Sequence, residues 1–211
     1  MNLPTALTVS RIAVTPLIAV LPFADSWTLR LTAFVLFVLA AVTDYIDGHL
    51  ARSRKQETDL GRLLDPLADK LLLLGTFVPM YLLAPRFPFM TPFGDVGLAW
   101  WVIAIVLGRE LFMTIFRQAA ARRGVVIAAI GPAKWKTGFQ LVWQGSAYFW
   151  FWAATLASAQ GWHGNALWHD FALFNGTVGT IMMVAAVALT VYSFVIYLRS
   201  FGSVFMASPA K

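Results

Sequence analysis

The sequence predicts an all-α integral membrane protein of six transmembrane helices, opened by a short amphipathic segment on the membrane surface. Three observations predict it. Of 211 residues, 59% are hydrophobic and only 12% are charged, about half the charged share of an ordinary soluble domain. The mean hydropathy is +0.71. Apolar runs recur along the whole chain, each near the roughly 20 residues needed to cross a hydrocarbon core of about 30 Å.

Asn2, Pro4, Thr5 and Thr8 read as the amphipathic start, and apolar segments follow at about 6–23, 28–50, 62–84, 98–121, 135–158 and 175–200. Arg11 interrupts the first segment and no small-residue cleavage site follows, so it reads as a retained helix and not a signal peptide. An even number of crossings returns both termini to one side. Arg52, Arg54, Lys55 and Arg62 crowd the connection after the second segment, and Arg122, Arg123 and Lys134 the one after the fourth. The opposite connections carry few basic residues, so both termini and the two basic connections are expected to face the cytoplasm across the cytoplasmic membrane. The same placement explains the net charge of +6 without a nucleic acid partner.

Two external connections have their own character. APRFPFMTPFGDVG is broken by Pro85, Pro88, Pro92, Gly94 and Gly97 and cannot continue a helix. SAQGWHGNALWHDFALFNG, over residues 158–176, carries Trp162, Trp168, Phe171 and Phe174, which suits a segment in the headgroup layer. His163 and His169 read as polar loop residues there. There is no cysteine, which excludes disulfides and thiolate chemistry. Nothing marks a linker or a second domain, so residues 1–211 read as a single transmembrane domain.

Five aspartates, half of the ten acidic residues, fall within DYIDGHLARSRKQETDLGRLLDPLADK, at Asp44, Asp47, Asp59, Asp65 and Asp69. Residues three or four apart on a helix share a face, so Asp44 and Asp47 point one way from the second helix, and Asp65 and Asp69 one way from the third. A short connection makes these helices antiparallel neighbours, and the four carboxylates can converge. At membrane depth each costs on the order of 2.5 to 3.5 kcal/mol, and four cost roughly 10 to 14. Protonation, pairing with Arg52, Arg62 or Lys70, or divalent cations can offset that cost. An all-oxygen donor set from two helices is what Mg²⁺ or Mn²⁺ prefers, and two such ions balance four charges. Asp59 reads instead as the N-cap of the third helix. Gly48 and Ala51 leave the helix surface bare beside the acids, which with metals nearby favours a phosphate-bearing ligand. Cation or proton transport is the competing class, although the acids lie near one membrane face and no pair of interrupted helices is present. A purely structural scaffold leaves the acidic cost unexplained.

Asp44, Asp47, Gly48, Ala51, Arg52, Gly61, Asp65 and Asp69 together spell DxxDGxxAR, eight residues, then GxxxDxxxD. This pattern resembles the signature of the CDP-alcohol phosphotransferases. The resemblance implies a six-helix fold, two Mg²⁺ or Mn²⁺ ions, and attack of an alcohol on a CDP-linked lipid such as CDP-diacylglycerol with release of CMP. By it, Asp44, Asp47 and Asp65 are metal ligands, Asp69 is both ligand and catalytic base, and Gly48, Ala51, Arg52, Thr58 and Gly61 surround the nucleotide. It also makes a homodimer an expectation.

The acceptor is sought outside the signature. The fourth helix carries Arg109 and Glu110 at membrane depth, and the fifth begins GPAKWKTGFQ. Arg109, Lys134 and Lys136 form a candidate basic pocket for an acceptor that already bears a phosphate. Arg109 has a competing use as a salt-bridge partner of Glu110, and the two lysines as membrane anchors. Thr8 is placed in the acceptor pocket, with Arg11 bracing an aspartate. NLPTALTVSR, LLDPLADK and GRE followed by AKWKT resemble the branch of the family that uses glycerol 3-phosphate; phosphatidylglycerol, inositol phosphate and serine are the alternatives.

Overall fold

In hydrocarbon a backbone amide has no water to bond, so long apolar runs must satisfy their own N–H and C=O groups as helices. A computed structural model shows this outcome for residues 3–54, 59–125, 127 and 131–201, with the backbone alone described at 3–4, 45–54, 59–60, 62–63, 132–134 and 201. Six helices follow in order: α1 (Leu3–Val20), α2 (Trp27–Arg54), α3 (Asp59–Leu83), α4 (Trp100–Arg122), α5 (Gly131–Gln160) and α6 (Ala166–Phe201). Four contain stretches long and apolar enough to cross a membrane: Thr5–Phe23, Trp27–Asp44, Leu64–Leu83 and Ala166–Ser200. The other two, at 23 and 30 residues, have the length but no such apolar stretch among the described residues; α4 carries Arg109, Glu110, Arg117 and Arg122.

Two expectations change. The amphipathic start is not a separate element: the helix runs unbroken from Leu3, where Pro4 fits because first-turn amides have no helical acceptor to lose. The Trp-rich connection is also far shorter than 158–174. α5 continues to Gln160 and ends at Gly161, whose φ of 69° is left-handed; α6 starts at Ala166, where Asn165 Oδ1 accepts the Leu167 amide at 2.9 Å as an N-cap. Trp168 therefore lies on a helix, stacked on Trp150 with ring centroids 5.6 Å apart. His163 sits with its ring nitrogen 3.1 Å from the Ser158 hydroxyl.

The proline-broken connection folds into a hairpin, β1 (Phe89–Thr91) against β2 (Gly94–Val96), paired antiparallel with Phe89 opposite Val96. Gly94 takes a φ of 114° at the turn, which a side chain would oppose. The hairpin seats on α6 where that helix is bare. A Cβ at Gly179 would fall 2.6 Å from the Phe89 ring, and one at Gly176 would collide with the Met90 backbone. Gly176→Ala should therefore displace the hairpin and lower stability by about 1 to 3 kcal/mol, read as a lower thermal midpoint in detergent; an unchanged midpoint would mean the contact is dispensable.

α1 packs on α2 and α3, α2 on α5, and α5 on α6, with α4 against α6. Aromatic contacts fill the centre: Phe37 stacks on Tyr148 at 5.5 Å, and Phe77 meets Trp143 edge-on at 5.0 Å. Two buried polar side chains there, Gln144 and Tyr148, find partners. Gln144 donates to Thr76 at 2.8 Å, and the Tyr148 hydroxyl lies 3.2 Å from the carbonyl oxygens of both Ile18 and Gly75.

Candidate active site

Three helices bring the acidic residues together. Asp65 and Asp69 lie four apart on α3 and so share a face, while Asp44 sits at the end of the apolar run of α2. α1 supplies what lies between them. Thr8 and Arg11, three apart on one face, are both buried. The Thr8 hydroxyl donates to Asp65 Oδ1 at 2.7 Å, and Arg11 Nη1 pairs with Asp44 and, at 3.2 Å, with Asp69.

The cluster has an inside and an outside. The Arg11 side chain is 1% exposed, whereas those of Asp44 and Asp69 are 50% and 62% exposed. The guanidinium thus lies beneath the carboxylates, whose remaining faces are open. Of the three devices for offsetting the charge, pairing with a basic side chain is present, and the cation is Arg11 of α1. Among the described residues, one paired cation faces three carboxylates. Open and all-oxygen, Asp44, Asp65 and Asp69 are the donor type that hard divalent cations take, but among the described residues no three acidic or histidine side chains close into a metal-holding group.

The rest of the signature is less fully described. Gly61 is buried one turn before Asp65. Asp47, Gly48, Ala51 and Arg52 follow Asp44 on the continuous helix α2, and Asp59 opens α3, but their side chains lie outside the described residues, as does that of Lys134; Thr58 lies outside them altogether.

A second polar cluster forms among α4, α5 and α6. Arg109 Nη1 donates to Glu110 Oε1 at 2.9 Å, and Lys136 Nζ reaches the same oxygen. Arg109 Nη2 donates to Ser193 Oγ at 3.2 Å, and Arg117 Nη2 to the Tyr197 hydroxyl at 3.2 Å. Both guanidinium groups lie over the Tyr197 ring, at 5.8 and 5.6 Å. Arg109 and Lys136 are thus brought together, and the Arg109–Glu110 pair weighed against a ligand role is present. Thr8, expected with them, hydrogen-bonds Asp65 in the acidic cluster. Sequence reasoning passed over Ser193 and Tyr197. Their signal was two polar groups four apart within the apolar run of the last helix, spaced to face one side.

Fold and site together define a helical membrane protein with a solvent-accessible carboxylate cluster on its first three helices. The chain matches the CDP-alcohol phosphatidyltransferase family model over residues 1–192. It is 32% identical over 149 residues to the CDP-diacylglycerol--glycerol-3-phosphate 3-phosphatidyltransferase 2 of Arabidopsis thaliana, covering 67% of this chain and 61% of that one. It is 33% identical over 155 residues to the CDP-diacylglycerol--glycerol-3-phosphate 3-phosphatidyltransferase of Bacillus subtilis, covering 67% and 73%. A cardiolipin synthase (CMP-forming) of Oryza sativa subsp. japonica is 32% identical over 205 residues, covering 94% of this chain and 57% of that one. The chain spans about three fifths of the length of the two plant relatives. It belongs to the CDP-alcohol phosphatidyltransferase family.

Proposed function

We propose that this chain transfers the phosphatidyl group of CDP-diacylglycerol to sn-glycerol 3-phosphate, giving phosphatidylglycerophosphate and CMP. The observation that carries the reading is the open carboxylate face of Asp44, Asp65 and Asp69 over buried Arg11, in a chain of this family. The acceptor hydroxyl forms a bond to the phosphorus that bears diacylglycerol, the bond from that phosphorus to CMP breaks, and Asp69 takes the hydroxyl proton. Arg11 orients the Asp69 carboxylate and Thr8 that of Asp65. Asp44, Asp47, Asp65 and Asp69 would hold two divalent cations, Mg²⁺ or Mn²⁺, whose chemistry when bound is to stabilise phosphoryl charge and the leaving group. Gly48, Ala51 and Gly61 leave room for the nucleotide, with Arg52 and Thr58 on its phosphates. Arg109, Lys136 and Lys134 receive the phosphate of the acceptor; the pairing of the first two on Glu110 supports a preformed basic site.

In this reading all six helices cross the cytoplasmic membrane as one catalytic domain. Leu111 and Ile115 on α4 and Val142 on α5 are exposed, as lipid-facing residues would be. The first turn of α1, the termini and the active site face the cytoplasm, and two copies associate as a homodimer.

A second reading, phosphatidylglycerol as acceptor, is favoured by the near-complete coverage of the chain by a cardiolipin synthase. A panel decides. Purified protein in detergent with Mg²⁺ or Mn²⁺ should release CMP from CDP-diacylglycerol when glycerol 3-phosphate is added, and not with phosphatidylglycerol, inositol phosphate or serine. Turnover with another member of the panel and none with glycerol 3-phosphate would overturn the assignment.

A further inference from the structure

Glu110 stands between two buried cations and covers them. Arg109 and Lys136 converge on its Oε1, yet their side chains are only 8% and 5% exposed while that of Glu110 is 29% exposed. A solute reaching the cluster therefore meets the carboxylate first. Behind it, Ser193 holds Arg109 Nη2, the Tyr197 ring lies under both Arg109 and Arg117, and the Arg109 Nε–H has no partner among the described residues. Two cations thus share one carboxylate, with Arg117 beside them on Tyr197 and donor capacity left over.

We propose that Glu110 is an electrostatic filter on this basic cluster, yielding to a phosphate dianion and not to a monoanion, so that the cluster admits a phosphomonoester and refuses a phosphodiester. The proposal rests on the reading of Arg109 and Lys136 as receiving the acceptor's phosphate, and it adds what chooses between the two acceptor classes of the relatives. A ligand that displaces Glu110 must return to both cations the charge they lose. A monoester, with a second pKa of about 6, carries close to two charges at neutral pH and offers the guanidinium and the ammonium separate oxygens. A diester carries one charge, equal to the carboxylate it would expel, so the exchange gains nothing. Selection then comes from an opposing charge as much as from the attracting ones. Ser193 and Tyr197 keep Arg109 in place when Glu110 swings away.

The test compares sn-glycerol 3-phosphate with its phosphate methyl ester, which keeps the attacking hydroxyls and loses one charge. Wild type should strongly prefer the monoester in kcat/KM. E110Q should reduce that preference about tenfold or more, the scale of one partly buried charge pair, by lowering KM for the methyl ester more than KM for the monoester. E110D should lie between, because the shortened carboxylate cannot bridge both cations, and it carries the same test if E110Q does not fold. An unchanged preference in these variants overturns the filter. R109Q separates the underlying reading: it should raise KM for glycerol 3-phosphate at least about tenfold, the usual cost of losing a charge-assisted contact. If instead R109Q leaves that KM unchanged and wild type does not distinguish the two acceptors, the basic-pocket reading fails, and the filter with it.

Discussion

Asp69→Asn should reduce acceptor-dependent CMP release by about 10²- to 10⁴-fold, the range spanned by a lost general base. Asparagine keeps the shape of the side chain but cannot take a proton. Arg11 retains its pair with Asp44 in this variant, so the thermal midpoint in detergent should stay close to that of wild type. The combination of a normal midpoint and lost turnover separates a chemical role from a structural one. Alanine at Asp44 or Asp65 should likewise abolish turnover. Activity of Asp69→Asn within a few-fold of wild type would remove Asp69 from the proton transfer and leave the acceptor hydroxyl without an assigned base.

Arg11→Met is expected to have the next largest effect, and on a different readout. Arg11 is the buried cation paired with Asp44 and Asp69, so its loss removes the counter-charge that the described residues set beneath them. Removing one partner of a fully buried pair costs about 3 to 5 kcal/mol; because Asp44 and Asp69 are half exposed and can rehydrate, about 1 to 2 kcal/mol is the appropriate scale here. In the presence of a chelator the midpoint of Arg11→Met should fall by several degrees. Adding Mg²⁺ or Mn²⁺ should raise it by more than the same addition raises wild type, since a cation binding only the folded cluster supplies the missing charge. Equal gains in the two proteins would show that Arg11 is not the counter-charge.

The helical framework was legible because apolar length is a strong signal, and placing the second to fifth segments needed little else. Segment ends were harder to read. The last helix starts nine residues earlier than the apolar run alone suggested, because Ala166 to Phe174 is amphipathic and its aromatic side pays its way by packing on α5, as in the Trp150–Trp168 stack. Neither that packing nor the capping by Asn165 has a hydropathy signature. For the same reason the hairpin was visible only as a place where no helix could continue.

At the site, spacing within one helix was readable and contact between helices was not. Asp65 with Asp69, and Asp44 beside them across a short connection, followed from the three- and four-residue rule. That Thr8 would meet Asp65, 57 positions along the chain, depends on how α1 lies against α3. Similarly, Arg109 and Glu110 are neighbours in sequence, but the arrival of Lys136 from α5 and Ser193 from α6 depends on packing.

Tyr148 bears on that dependence. Its hydroxyl reaches the carbonyls of Ile18 on α1 and Gly75 on α3, and each lies ten positions beyond the partner in the Thr8–Asp65 bond. The two helices therefore run parallel and in step, and at about 1.5 Å per residue the phenol sits roughly 15 Å from the carboxylates. A slide of either helix along its axis would break the phenol's hold on one carbonyl and carry Thr8 away from Asp65 by the same distance. One tyrosine on a third helix thus acts as a locating pin, setting from the middle of the bundle the alignment of groups that meet at its end.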